Sequence, residues 1–222
     1  MNVIKYVTVM SCIFSVFVCQ SVVRAKEVPN GPSDCAVAEG KQYIILSQRV
    51  KDVPEVLEFF SFYCRHCYQF EQEYHLAEQV KEKLSEDVKI VKYHVSSMGP
   101  LGYDLTRAWA VAMLLGVEDK IEPVMFTAIQ KQRSVLTTGD IRRVFTESGI
   151  KGEDYDSAWK SFAVNALVMR QERARNDFRL TGVPVIYVNG LYEINSRGME
   201  ANSLEAFTSC YAKTVKQLIG KH

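Results

Sequence analysis

The hydrophobic pattern of residues 42–95 changes period twice. Residues 42–47 (QYIILS) make a short apolar run that predicts a first strand, closed off by Asp52 and Pro54. Residues 56–62 (VLEFFSF) are almost continuously apolar over the length of a strand, the pattern of a central strand covered on both faces. From Cys67 onward Phe70, Tyr74, Ala77, Val80 and Leu84 recur at intervals of three and four, with Glu and Lys between them. That spacing predicts one amphipathic helix opening at a pair of cysteines. Residues 88–95 (VKIVKYHV) return to strand character, so the order is strand, strand, helix, strand.

A long helical stretch follows. Leu101, Leu105, Ala108, Trp109, Ala112 and Met113 share one face; 124–129 and 141–145 repeat the pattern, and Tyr155, Ala158, Trp159 and Phe162 continue it. Residues 97–168 are therefore expected to form an all-helical insertion, with its aromatic residues serving as core packing rather than as a cofactor box. Beyond Thr181 and Gly182, residues 185–188 (VIYV), Asn189-Gly190 and 191–194 spell a β-hairpin, because both central residues of a type I′ turn need positive φ. A last helix is predicted with Asn202 and Glu205 as a capping box and Leu204, Phe207, Tyr211, Val215 and Leu218 as its inward stripe.

The start of the chain differs from the rest. Lys5 precedes an apolar run over 7–18, and Val23, Arg24 and Ala25 end it with a peptidase-type site, so residues 1–25 are expected to be a secretory signal peptide. Gln20, Ser21 and Arg24 close the run too early for a membrane anchor. The bulky Phe17 and Val18 before Cys19 do not suit a lipidation site. Residues 26–40, with Pro29, Gly31 and Pro32, predict an irregular arm. Without residues 1–25 the chain has 25 basic and 26 acidic residues, a balance that favours neither nucleic acid nor an anionic membrane surface.

Of the six cysteines, Cys35, Cys64, Cys67 and Cys210 remain after the signal, an even number that permits full pairing in an exported protein. Cys64-Arg65-His66-Cys67 lies where an apolar strand passes into a helix. Such a pair can close a disulfide, and the unpaired N–H groups of the helix start favour a negative charge on the first sulfur. They should depress the Cys64 thiol and make it a good leaving group, with Arg65 and His66 pushing the same way. A zinc site would need a second ligand pair at suitable spacing, and none is found; no metal or cofactor is expected. Tyr68 stands where haem attachment would require His. A purely structural disulfide stays open as an alternative.

The residues at 56–62 leading into 64–71, together with Lys92-Tyr93-His94-Val95, 108–113 (AWAVAM), Gly182-Val183-Pro184 and 211–216, resemble the DsbA family of periplasmic dithiol oxidases along nearly the whole chain. The resemblance implies an α/β thioredoxin fold (26–96 and 169–222) interrupted by the helical domain at 97–168. It also implies a strongly oxidising Cys64–Cys67 disulfide, a periplasmic location, reduced cysteine-containing exported proteins as substrates, and reoxidation by a quinone-linked membrane protein similar to DsbB. Pro184 matches the family's cis-proline facing the disulfide, where the Val183 backbone could pair with an extended substrate segment. Glu58, a charged residue inside an apolar strand, matches a buried acid linked to Lys92 and would exchange protons with Cys67; a solvated strand end is the alternative. Glu71, one turn past Cys67, could contribute, although its spacing also fits an exposed helix glutamate.

The chain departs from the family pattern twice. Arg65 replaces the usual proline between the cysteines, adding charge and removing a rigid helix-starting residue. Cys35 and Cys210 lie at chain ends that are close together in DsbA-like folds, which predicts a structural disulfide. Residues 26–40 are too short for the dimerisation domain that the related isomerases carry ahead of the fold, which favours an oxidase; a monomer is expected. An isomerase or reductase, and a peptide-binding chaperone whose cysteines merely stabilise it, are the alternatives.

Overall fold

A nearly continuous apolar strand needs cover on both faces, and β2 (Val56–Phe60) is buried at every position. The computed structural model describes residues 35–84 and 88–221; the expected signal peptide at 1–25 and the arm as far as 34 lie outside the described residues. β2 pairs in parallel with β3 (Ile90–His94) and antiparallel with β4 (Val185–Val188). β5 (Tyr192–Ile194) and β1 (Tyr43–Ile45) extend the sheet to the order β1-β5-β4-β2-β3.

Parallel pairing of β2 and β3 requires a crossover, and the cysteine segment lies on it. The crossover comprises α1 (Arg65–Tyr68), a π-helical turn (Gln69–Glu73) and α2 (Leu76–Lys83). On one sheet face Val56, Ile186 and Val188 pack with Leu76 and Val80 of α2 and with Tyr211, Val215 and Leu218 of α8 (Leu204–Ile219). On the other face Leu57, Phe59, Tyr93 and Tyr187 pack against Ala174 and Phe178 at the end of α7 (Phe162–Asp177). Between β3 and α7 stand α3 (Gly102–Leu115), α4 (Glu118–Phe126), a second π-helical turn (Thr127–Lys131), α5 (Thr138–Glu147) and α6 (Gly152–Lys160). Their core is built on Leu105, Trp109, Ile121, Met125, Phe126, Ile141 and Phe145, and Phe60 at the end of β2 and Phe62 just beyond it reach into it. This is the thioredoxin-type sheet interrupted by helices.

Several elements differ from expectation for identifiable reasons. The helix at the cysteines is not one helix. After the π-helical turn it breaks at His75, which takes φ +49°, and restarts as α2. The break re-phases the faces, so Leu76 and Val80 are buried while Ala77 is only half-buried. Phe70 and Tyr74 instead make ring contacts with Phe207, and Phe70 also with Tyr211. At α8 the cap is Ser203, whose side chain accepts from the Ala206 N–H, not the expected Asn202–Glu205 box. Leu204 is correspondingly exposed, and the inward face is Ala206, Cys210, Tyr211, Thr214, Val215 and Leu218. α7 runs unbroken through residue 168, the expected end of the insertion, and Phe162 is exposed on its first turn.

The hairpin turn has positive φ at both Asn189 (55°) and Gly190 (62°). Glycine is required at 190 for a second reason: a Cβ there would come within 2.1 Å of the Val50 carbonyl oxygen.

Candidate active site

The end of β2 delivers the cysteines. Ser61 and Phe62 leave the sheet, and Cys64 N–H donates to the Ser61 carbonyl at 3.0 Å, closing a tight turn. Cys64 then caps α1 with extended backbone, its sulfur accepting from the Cys67 N–H at 3.4 Å. A sulfur at that position meets the unpaired donors of the helix start. On its other side it donates to the Val183 carbonyl at 3.4 Å, and the Val183–Pro184 peptide bond is cis. Cys64 and Cys67 are present as the dithiol, while Arg65 and His66 between them are exposed.

The two thiols are driven apart electrostatically. Cys64 falls from an ordinary 9.0 to about 6, first through the hydrogen bond from the Cys67 side chain, then through the backbone N–H groups of Cys67 and His66 and the charge of His66, with burial opposing. Among the leading causes the expected charge effect is represented by His66 and not by Arg65. Burial pushes Cys67 far above the ordinary thiol range, and the neighbouring Cys64 adds to the effect. One sulfur is therefore readily a thiolate and the other holds its proton, the asymmetry that directional thiol exchange needs.

Below the pair lies a buried charged cluster. Glu58 of β2 and Lys92 of β3 are register partners, and Lys92 Nζ lies 3.8 Å from Glu58 Oε2 and 2.6 Å from Glu71 Oε2. The π-helical turn carries Glu71 inward, so its side chain is 18% exposed rather than solvated as a regular helix surface would leave it. A third carboxylate, Glu122 of α4, holds the same ammonium through both oxygens at 2.9 and 3.0 Å. Burial raises Glu58 above the usual carboxylate range, with Lys92 pulling the other way. Burial alone would lower Lys92, but Glu58, Glu122 and Glu71 outweigh it and hold the ammonium charged. Glu122 was not singled out from the sequence. The available signal was an acid on the apolar stripe Glu122, Met125, Phe126 and Ile129.

Two other residues missed in the sequence fix the cysteine turn. His94 Nε2 accepts from the Phe62 N–H at 3.1 Å, its Nδ1 meets Thr106 Oγ1 at 2.8 Å, and its ring lies against Phe60 and Phe62. Gln130, on the second π-helical turn, donates from Nε2 to the carbonyls of Phe62 (2.8 Å) and Cys64 (2.9 Å). Burial lowers His94 to about 3, so it stays neutral and able to accept. His94→Leu leaves the buried Phe62 N–H without its acceptor and should cost about 1–3 kcal/mol, read as a lower denaturant midpoint at pH 7. Because the unfolded chain protonates His94 first, this imidazole's contribution is lost as pH falls from its ordinary 6.5 towards 3. The gap between wild type and variant should accordingly shrink over that range.

Cys35 and Cys210 are bonded to one another, with Cα atoms 5.3 Å apart. They belong to the cluster between the sheet and α8, whereas Cys64 and Cys67 belong to the helical core, so the two pairs are structurally separate.

Residues 55–212 match the family described as DSBA-like thioredoxin domain. The thiol:disulfide interchange protein DsbA of Salmonella typhimurium is 54% identical over 189 residues, 85% of this chain and 91% of the relative. The Escherichia coli protein of the same name is 53% identical over 82% of this chain and 88% of its own length. Among solved structures, Proteus mirabilis DsbA with a non-covalently bound peptide, PWATCDS, superposes with a TM-score of 0.82 at 45% identity, covering 84% of this chain and 100% of that one. The family match spans the cysteine turn, the charged cluster and the Val183–Pro184 loop, and the chain belongs to the DsbA-like thioredoxin-domain family of thiol:disulfide oxidoreductases.

Proposed function

We propose that in this thiol:disulfide oxidoreductase Cys64 is the sulfur a client attacks, Cys67 the sulfur released, and Glu58 the group that returns a proton to Cys67. The supporting observation is the divergence of the two thiols, Cys64 down to about 6 and Cys67 far up. In the oxidised protein a client thiolate bonds to Cys64 Sγ, the Cys64–Cys67 bond breaks, and its electron pair leaves on Cys67 Sγ. Cys67 takes a proton from the Glu58 carboxyl, which regains one from solvent. A second client thiolate then attacks the client sulfur of the mixed disulfide and expels Cys64 as a stabilised thiolate. The client loses two electrons and the enzyme gains them, so the enzyme ends as a dithiol that must be reoxidised.

The Val183 carbonyl beside Cys64 and the adjoining Pro184 line the place where an extended client segment would lie. Arg65 and His66, exposed on the same turn, would border it, and His66 would also help hold the Cys64 thiolate. The peptide held by the Proteus relative contains a cysteine, which supports the same reading. The clients are reduced cysteine-containing exported proteins, the compartment is the periplasm, and a DsbB-like, quinone-linked membrane oxidase recharges the dithiol. Among the described residues no helix is long and apolar enough to cross a membrane. Oxidation of a reduced, unfolded test protein, compared with Cys64→Ser, tests the assignment.

The Cys35–Cys210 bond, closing a loop of sequence separation 175, serves in this scheme as a staple for α8. Cys210→Ser should lower stability by about 2–5 kcal/mol in thermal or denaturant unfolding while sparing client oxidation at a temperature where the variant stays folded.

A further inference from the structure

The charged cluster contains three carboxylates and one ammonium. Glu58, Glu71 and Glu122 all approach Lys92 Nζ, and none of the four side chains is more than 18% exposed. Full ionisation would leave an excess of negative charge in a buried site, which is costly, so the cluster must retain protons. Which carboxyl retains one depends on where the ammonium sits. Lys92 gives its short contacts to Glu71 and to both oxygens of Glu122, and stays 3.8 Å from Glu58. Burial raises Glu122 above the usual carboxylate range as it does Glu58, but Lys92 opposes this at Glu122 through both its charge and hydrogen bonds to both oxygens, which favour the anion, and at Glu58 through its charge alone. Glu58 has the longest of the three contacts to the ammonium and receives no hydrogen bond from it. Besides Lys92, it feels Glu71 from the π-helical turn, and its charge is in turn felt at Glu122 of α4, at Cys67 of α1 and at Tyr211 of α8.

We propose that Glu122 is a positioning residue for thiol exchange: by clasping Lys92 with both oxygens it draws the ammonium away from Glu58 and leaves Glu58 able to keep a proton for Cys67. The proposal rests on the role assigned above to Glu58. Without the clasp, Lys92 turns to its remaining partners, Glu71 and Glu58, and a negative charge near Glu58 is removed. Both changes favour the ionised form of Glu58.

The test is an infrared titration of buried carboxyl groups in the oxidised full-length protein, with the Glu58 signal defined as the one that Glu58→Gln removes. In Glu122→Gln, which keeps the side-chain shape, the Glu58 midpoint should fall by about one pH unit or more, the scale of an opposite charge brought into contact. Glu122→Asp keeps the charge and should restore most of the wild-type midpoint. The alkaline limb of the pH profile for client oxidation should move down with the midpoint in Glu122→Gln, and Glu122→Gln should produce no such movement in the Glu58→Gln background. A Glu58 midpoint that stays put or rises in Glu122→Gln overturns the proposal alone, and so does an Asp variant that shifts as far as Gln. If Glu58→Gln removes no titrating signal, the proton-carrying role of Glu58 falls as well.

Discussion

Replacing Cys64 with serine is expected to abolish oxidation of a reduced, unfolded protein, a loss of at least about three orders of magnitude, the scale on which removal of a covalently reacting enzyme group acts. Cys67→Ser should also stop turnover, because no active-site disulfide can form, but the two variants should differ sharply in reactivity. In Cys67→Ser the serine hydroxyl replaces the thiol that donates to Cys64, and the backbone donors of residues 66 and 67 remain. With its thiol near 6, Cys64 should be about nine-tenths thiolate at pH 7 and should alkylate rapidly and exchange readily with oxidised glutathione, with no second thiol in the site to resolve the mixed disulfide. In Cys64→Ser the remaining thiol is 2% exposed and held protonated by burial, so it should react slowly with both reagents. Equal alkylation rates in the two variants would show that the cysteines are not differentiated as described.

The second large effect is on stability. The reduced protein carries a group whose folded value, about 6, lies below its ordinary 9.0, and the oxidised protein has no such group. A depressed acid adds stability that is complete above the unfolded value and is lost as pH falls through the folded one. The stability of the reduced form relative to the oxidised form should therefore rise between pH 6 and 9. The gain should reach roughly 2–4 kcal/mol once partial access of solvent to this sulfur is discounted. Cys67 opposes the trend only above pH 9, where the unfolded chain would ionise it and the folded protein would not. The cross-link itself adds an offset independent of pH, so the slope is the diagnostic quantity. Paired denaturant titrations of the two redox forms across this range measure it, and a flat difference would contradict it.

What could be read from the sequence was what local pattern determines. The continuous apolar run of β2, the period change after Cys67 and the Asn189-Gly190 turn each follow from a few adjacent residues, and the cysteine pair falls where strand meets helix. The π-helical turn at Gln69–Glu73 was not legible, because the run Phe70, Tyr74, Ala77, Val80 and Leu84 fits an unbroken helix; the break at His75 shows only in the backbone. That turn brings Glu71 to Lys92, so its burial was missed together with the turn. His94 holds Phe62, Glu122 holds Lys92 and Gln130 holds Phe62 across sequence separations of 32, 30 and 68, and local pattern marks none of these partnerships beyond the acid on the apolar stripe of α4. Ser203 displaced Asn202 as the cap because both residue types cap well, and a one-residue shift leaves the apolar spacing of α8 almost unchanged.

The chemistry depends on Cys64 being a stable anion in the reduced protein. The most direct measurement is a thiolate titration of the reduced protein by ultraviolet absorbance, with Cys64→Ser as the blank. A single midpoint at about 6, assigned to Cys64, is the predicted result. A midpoint close to the ordinary thiol value of 9.0 would contradict it, and with it the assignment of Cys64 as the sulfur that leaves.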